Sequence, residues 1–211
     1  MALKGFEVTL KGDRPLLCSN VIASDPLGLE SKQKAFFHSK RKKTDEDHRA
    51  LRVLDWIFSG YWDIQGEVNV DEYENSVDFD GYAKPILPGA NFQRCLRNAA
   101  TKWSLGKHVT RSVVVSNDPG IEYDGPKDAR EMFNSRKPSF QLSAFTKRGV
   151  WVNRLMFPSW KVTYKLTVDD EILEIPQLRR IIAMAGKAEG LGTWRPRHGR
   201  FTAGELIEVG F

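Results

Sequence analysis

Three glycines, three arginines and a tryptophan fall within twelve positions of the segment Gly190-Leu191-Gly192-Thr193-Trp194-Arg195-Pro196-Arg197-His198-Gly199-Arg200-Phe201. Glycines let backbone amides turn toward an anion, and guanidinium groups match the geometry of phosphate oxygens. In that reading Gly190 and Gly192 open the chain, Arg195, Arg197 and Arg200 hold phosphates, and Trp194 stacks on a base. The same composition also serves a plain turn between a helix and an edge strand. Trp194 would then plug the core, and Arg200 would pair with a carboxylate at the sheet edge. A second cationic stretch runs from Lys32 to Lys43 without an acidic residue and contains Lys40, Arg41, Lys42 and Lys43. Phe36 and Phe37 lie inside it, as stacking groups among phosphate-binding ammonium groups or as anchors that dock a solvated helix on the core. Arg94 and Arg97 sit three apart on an expected helix, and Lys147-Arg148-Gly149 forms the turn of a hairpin that also carries Arg136, Lys137 and Arg154.

Catalytic chemistry has less to work with. Of His38, His48, His108 and His198, only His198 lies in the glycine-rich segment, and spacing identifies no acid–base partner for it. An exposed loop histidine is the simpler account. Asp169-Asp170 read as the turn before a helix rather than as half of a two-metal site. Cys18 and Cys95 lack metal-type spacing and read as reduced thiols. No catalytic residue, metal or cofactor is therefore expected, and the chain reads as a protein that is not an enzyme.

The 211 residues carry a net charge of +5, which favours a polyanionic partner. The charge is segregated: Glu67, Asp71, Glu72, Glu74, Asp78 and Asp80 form an acidic segment separate from the basic stretches. Mean hydropathy is −0.43. No apolar run approaches membrane-spanning length and no basic-then-apolar leader opens the sequence, so no membrane contact and a cytoplasmic location are expected.

Alternation of Phe6, Val8 and Leu10 with polar residues predicts a first strand. Thr44, followed by three acids, predicts a helix to about Phe58. Tyr61-Trp62 and the acidic segment read as an extended hairpin and loop. Phe92, Leu96, Ala99 and Trp103 share one face of a second helix, and Arg111 to Ser116 reads as a short strand. A basic hairpin spans about 136–158. The clearest strand follows, Trp160 to Val168, and Pro176 suits the start of a helix that buries Leu178, Ile181, Ile182 and Ala185. A short terminal strand is expected from Glu205 to Phe211. Without the insertions the order is strand, helix, strand, strand, helix, strand, an α+β ferredoxin-like or RRM-like βαββαβ core. A single domain, 1–211, is expected, with a large insertion at about 18–85 and a thumb-like β-hairpin.

Leu87-Pro88-Gly89-Ala90-Asn91-Phe92-Gln93-Arg94-Cys95-Leu96-Arg97 resembles the Ile-Pro-Gly-Ser-Ser-x-x-Gly-x-Leu-Arg entry to the first helix of the RAMP superfamily, the RRM-like proteins that build CRISPR effector backbones. Gly190 to Phe201 resembles that family's glycine-rich loop. The hairpin at Lys147-Arg148-Gly149 sits where backbone subunits carry a thumb that separates bases. Asp25-Pro26-Leu27, the string from Ser39 to Asp47 and the ending Gly190 to Phe201 are also similar to a group of phage-encoded proteins, for which the host cytoplasm would be the location.

The resemblance implies non-catalytic binding of single-stranded DNA or RNA, with self-association as a coat along the strand. It also leaves two alternatives open. One is a protein-interaction factor that mimics or inhibits a host CRISPR effector, its acidic segment facing a protein partner. The other is a metal-independent ribonuclease.

Overall fold

The computed structural model describes residues 3–63, 82, 84–145 and 151–210. The chain divides into two compact units, one of residues 1–16, 86–124 and 158–211, the other of residues 17–85 and 125–157. The expected insertion and hairpin both fall in the second unit, together with residues 125–135.

The first unit is built on four antiparallel strands. These are β1 (Leu3–Gly12), β5 (Val113–Val115), β8 (Lys161–Asp169) and β9 (Phe201–Val209), in the spatial order β5-β8-β1-β9. Numbered as the four core strands, that order is 2-3-1-4, the ferredoxin-like arrangement of two interleaved βαβ units. Period-two burial in β1 and β8 places Phe6, Val8, Leu10, Val162, Tyr164, Leu166 and Val168 in the core.

Helices α3 (Gly89–Ala100) and α6 (Ile175–Met184) contribute the opposing apolar stripes: Phe92, Cys95, Leu96 and Ala99 from one, Leu178, Ile181 and Ile182 from the other. Phe92 stacks on Tyr164 with ring centroids 4.7 Å apart, and the Tyr164 hydroxyl donates to the Leu87 carbonyl at 3.0 Å. The Pro88-Gly89 entry has a steric cause, because a Cβ on Gly89 would lie 2.6 Å from the Asn117 carbonyl oxygen. The Gly89 N–H instead donates to the Asp118 carboxylate at 2.7 Å, which satisfies one of the free amides of the helix start.

Three expectations are corrected in this unit. Arg111 and Ser112 end a helix, α4 (Gly106–Ser112), and the strand begins at Val113. Val109 anchors that helix in the core, and the Ser112 hydroxyl bonds back to the His108 carbonyl. Trp103 lies beyond the end of α3 in a 3-10 turn, only partly covered, with the Arg180 guanidinium 5.4 Å from its ring. The last strand starts at Phe201, because residues 201–203 already pair with residues 10–12 of β1.

The second unit contains α1 (Leu29–Ser39), α2 (Asp45–Ser59), the paired β3 (Trp62–Asp63) and β4 (Lys84–Pro85), α5 (Ala129–Asn134), β6 (Gln141–Phe145) and β7 (Trp151–Phe157), and the two-residue β2 (Leu16–Leu17) spans the boundary. β2, β7 and β6 form one sheet. Helix α2 starts as the sequence predicts, with Thr44 and Asp47 in a reciprocal capping box, and packs Val53, Leu54, Trp56, Ile57 and Phe58 inward. Fully buried Trp56 donates its indole N–H to the Phe140 carbonyl at 2.7 Å. The acidic segment from Glu67 to Asp80 and the hairpin turn at Lys147-Arg148-Gly149 lie outside the described residues.

Tyr164→Phe should keep the ring stack but strand the buried Leu87 carbonyl, lowering unfolding free energy by about 1–3 kcal/mol. Urea unfolding followed by fluorescence measures this. A midpoint equal to wild type would mean that the hydroxyl contributes nothing to the core.

Candidate nucleic-acid interface

In the first unit the glycine-rich segment is folded back on itself by its own backbone. The Leu191 N–H donates to the Gly199 carbonyl at 2.8 Å, and the Gly199 N–H donates to the Pro15 carbonyl at 2.8 Å. Gly199 has a φ of 73°, and a Cβ there would lie 1.8 Å from the Leu191 carbonyl oxygen, so no other residue fits. Leu191, fully buried, is the plug of the loop. The Cys95 thiol of α3 donates to the Gly190 carbonyl at 3.2 Å, and burial pushes that thiol up to about 12. Cys95 is thus a structural hydrogen-bond donor rather than a nucleophile.

Trp194 does not fill the core. Its side chain is 38% exposed, 6.2 Å from the His198 ring, and its backbone lies in the left-handed region at φ 54°. With Thr193, Arg195, Pro196, Gly192 and Glu189 it lines a shallow depression of about 480 Å3. Arg197 and Arg200 are exposed and Arg195 is half-buried, and among the described residues none of the three has a carboxylate within ion-pairing distance. The sheet-edge partner considered for Arg200 is therefore not seen. Arg200 instead lines a second depression, of about 450 Å3, with Arg14 and Lys187.

His198 is half-buried rather than fully exposed. Burial, and then the neighbouring Arg197 charge, hold its imidazole below the ordinary value of 6.5, so it is neutral at pH 7. Arg94 and Arg97 are exposed on α3, and Arg97 lines a separate depression of about 300 Å3 with Lys107 and Arg111 rather than joining the loop arginines.

The face of the four-stranded sheet opposite the two helices is polar. It carries Glu7, Thr9 and Lys11 of β1 and Lys161, Thr163, Lys165 and Thr167 of β8, with Val114 and Ile207 on the outer strands. The Thr9 and Thr163 hydroxyls hydrogen-bond at 2.9 Å. None of these residues is aromatic, so this face lacks the stacking platform by which RRM sheets bind bases.

In the second unit the basic stretch separates into structural and free cations. Lys40 donates to the Asp47 carboxylate at 2.6 Å and lies 5.1 Å from the Phe36 ring centroid and 5.3 Å from that of Phe37. The Lys40 ammonium and then the Thr44 amide hold the Asp47 carboxyl below the usual carboxylate range. Lys43 donates to the carbonyls of His38 and Lys40 and closes the connection between α1 and α2. Arg41 and Lys42 are exposed, without an ion-pair partner among the described residues. Of the two candidate stacking rings, Phe37 is buried and packs edge-on against the exposed Phe36. Arg154 is half-buried beside Asp55 and Tyr61 and does not decorate the hairpin surface. Lys147 and Arg148 lie outside the described residues.

Sequence reading missed the exposed aromatic pair Phe145–Trp151. These rings face each other across the last register position of β6 and β7, with centroids 4.2 Å apart. They are 58% and 59% exposed. The signal was an aromatic residue on each side of a basic turn, both at positions equidistant from it.

No protein-family model matches this sequence, and no curated protein does. Among solved structures it is similar to the crystal structure of Cmr6 from Pyrococcus furiosus, at 11% identity over 99% of this chain and 100% of that one, with a TM-score of 0.31.

Gly199→Ala combines a left-handed backbone with a collision against the Leu191 carbonyl, and should cost more than about 2 kcal/mol of stability. Calorimetry would detect this, and a melting temperature at the wild-type value would mean that the loop is held another way. His198 gives a pH signature. Its folded-state value is depressed, so its contribution to stability is complete above 6.5 and is lost as pH falls through that value toward the folded one. Melting curves should show the difference between wild type and His198→Gln shifting against wild type on acidification below 6.5; a pH-independent difference would mean that His198 titrates normally.

Proposed function

We propose that this protein binds single-stranded nucleic acid without catalysing a reaction on it, using the glycine-built loop of its first unit as one contact. The observation that carries this reading is Trp194, an exposed indole held in a left-handed backbone conformation among three arginines without ion-pair partners among the described residues. A bulky residue in that conformation costs roughly 1–2 kcal/mol, and such strain clusters at ligand sites. The ring makes little return of that cost in the core, since Leu191 occupies the buried position. An exposed indole stacks on any base, and the arginines supply charge-assisted bonds to phosphates.

Absence of catalysis rests on the chemistry of His198. It does not line the depression beside Trp194, where no histidine, lysine or tyrosine is found among the described residues to pair as acid and base. Single strands are favoured over duplex because stacking needs an open base face, whereas the polar sheet face offers no platform for one. Arg41 and Lys42 supply further phosphate contacts, and assembly along the strand belongs to the same reading.

Two variants test it by fluorescence anisotropy with labelled single-stranded DNA, single-stranded RNA and duplex. Replacing Arg195, Arg197 and Arg200 together by alanine should weaken single-strand binding at least tenfold and flatten its salt dependence, since each lost phosphate contact removes roughly 0.7 from the log–log slope. Trp194→Gly relieves the backbone strain, so it should melt no lower than wild type while losing affinity by about 1–3 kcal/mol. Full affinity in the folded arginine variant removes the loop from the site. A large drop in melting temperature for Trp194→Gly makes the indole structural.

A further inference from the structure

A further cavity lies within the second unit, and of the lysines and arginines singled out in the sequence only Arg136 lines it. It is an open trough of about 830 Å3 between α2, β6 and the segment after α5, with Arg49, Arg52 and Arg136 on its rim together with His48. The Arg49 and Arg136 side chains are exposed and make no ion pair or hydrogen bond among the described residues, and the Arg52 side chain makes only a 3.4 Å bond to the Ser143 hydroxyl. Asp45 is the one carboxylate in the lining.

Two of the lining residues, Gln141 and Ser143, belong to a connected chain of side-chain hydrogen bonds centred on Asn153. Gln141 donates through its amide nitrogen to the Phe133 carbonyl and accepts from Asn153 at 2.9 Å. Asn153 also donates to the Arg52 carbonyl at 3.3 Å and accepts from the Ser143 hydroxyl at 3.0 Å. Asn153 is buried, so this network fixes the backbone of α2 at Arg52 against the hairpin, and the Arg52 guanidinium is bonded to a member of it. Like charges held on one rim raise the local positive potential, and a bound anion relieves it.

A second observation tells which anion. Gln141, Ser143 and Phe145 alternate along one face of β6, and their partners Leu155, Asn153 and Trp151 occupy the same face of β7. Helix α2 covers that face at Leu155 and Asn153, which are buried. Beyond them it continues to the exposed Phe145–Trp151 pair. A cationic trough that runs on into an exposed aromatic pair matches a strand of phosphates with splayed bases better than it matches a small anion. Small-molecule sites, in contrast, enclose most of their ligand.

We propose that this trough is a second phosphate-backbone site for single-stranded nucleic acid. Arg49, Arg52 and Arg136 hold consecutive phosphates, and Phe145 and Trp151 stack on bases. The proposal rests on the nucleic-acid reading above but on a different unit of the chain.

Binding of labelled oligothymidylate and oligouridylate by Arg49→Gln/Arg136→Gln, at several salt concentrations, tests it. Both residues are exposed and unpaired, and Arg52 keeps its bond to Ser143. Lys161→Gln/Lys165→Gln on the sheet face serves as a control of equal charge change. The trough variant should lose affinity at least tenfold, and its log–log salt slope should fall by about 1.4 for two lost contacts. The control should change little. A trough variant indistinguishable from wild type or from the control overturns this proposal while leaving the loop reading intact. No binding by wild type at low salt overturns both. Should the variant unfold, photocross-linking of wild type to bromouracil-substituted DNA gives an independent readout. Adducts at Phe145 or Trp151 are expected, and adducts confined to the first unit would sink the proposal.

Discussion

The close backbone approach at Gly199 is the constraint on which the loop of the first unit depends. Its carbonyl accepts from Leu191 within the loop, and its N–H donates to Pro15, three residues beyond the end of β1. A side chain at this position would overlap the Leu191 carbonyl oxygen. The hydrogen bonds and the absence of a Cβ therefore work together. They pull Leu191 into the core, and the residues between the two pinned points, Gly192 to His198, bulge outward. Trp194 and Arg197 are exposed because the chain on either side of them is fixed. The Cys95 thiol adds a contact from α3 to the Gly190 carbonyl, so α3, the loop and the segment just after β1 are tied together.

The second unit reaches a comparable result by other means. No glycine turn holds its cationic rim; a buried asparagine does. Asn153 links Gln141, Ser143 and the backbone of Arg52, and a buried polar network with every member satisfied is stiff and geometrically specific. The apolar contacts of Trp56 with Phe133, 5.4 Å between centroids, and its bond to the Phe140 carbonyl hold the same elements from below. Both units thus present guanidinium groups without carboxylate partners on supports fixed by short-range backbone or amide bonds. Loss of flexibility in the support lowers the ordering entropy that binding would otherwise have to overcome.

Much of the core was legible in the sequence because it is written in strict alternation or helical period. Phe6 to Leu10, Val162 to Val168 and the Leu178–Ile182 stripe are read directly from spacing. The capping box at Thr44 and Asp47 was legible for the same reason, since all its partners are within three residues. What was not legible depends on contacts distant in sequence. Helix α4 is only seven residues long and runs directly into the β-branched Val113–Val115, so Arg111 and Ser112 read as the start of that strand until Val109 is seen in the core. Lys40 and Lys43 read as free cations, because the sequence does not show that one closes onto Asp47 and the other onto carbonyls of the same turn. The trough was invisible for the strongest reason. Arg49 and Arg136 are far apart in the chain, and Arg49 and Arg52 lie on the polar face of an amphipathic helix, where arginines are ordinarily solvated.

The polar face of the sheet bears on how such a protein would recognise a strand. An aromatic RRM face reads a few bases at fixed positions, because the rings are locked in a rigid sheet. Here threonines and lysines occupy those positions; the Thr9–Thr163 bond and the Lys165–Glu7 pair at 3.6 Å partly satisfy the face from within. The exposed rings are elsewhere: Trp194 in a loop, Phe36 on a helix, Phe145 and Trp151 at the end of a hairpin. Trp194 lies among arginines and Phe36 beside Lys40, and among the described residues none of these rings has a set of donors and acceptors arranged to fit one base edge. Stacking and phosphate contact are both insensitive to base identity, so contacts of this kind give affinity that falls with salt and depends little on sequence. The architecture keeps the ferredoxin-like scaffold, and its exposed rings lie off the sheet face of the first unit.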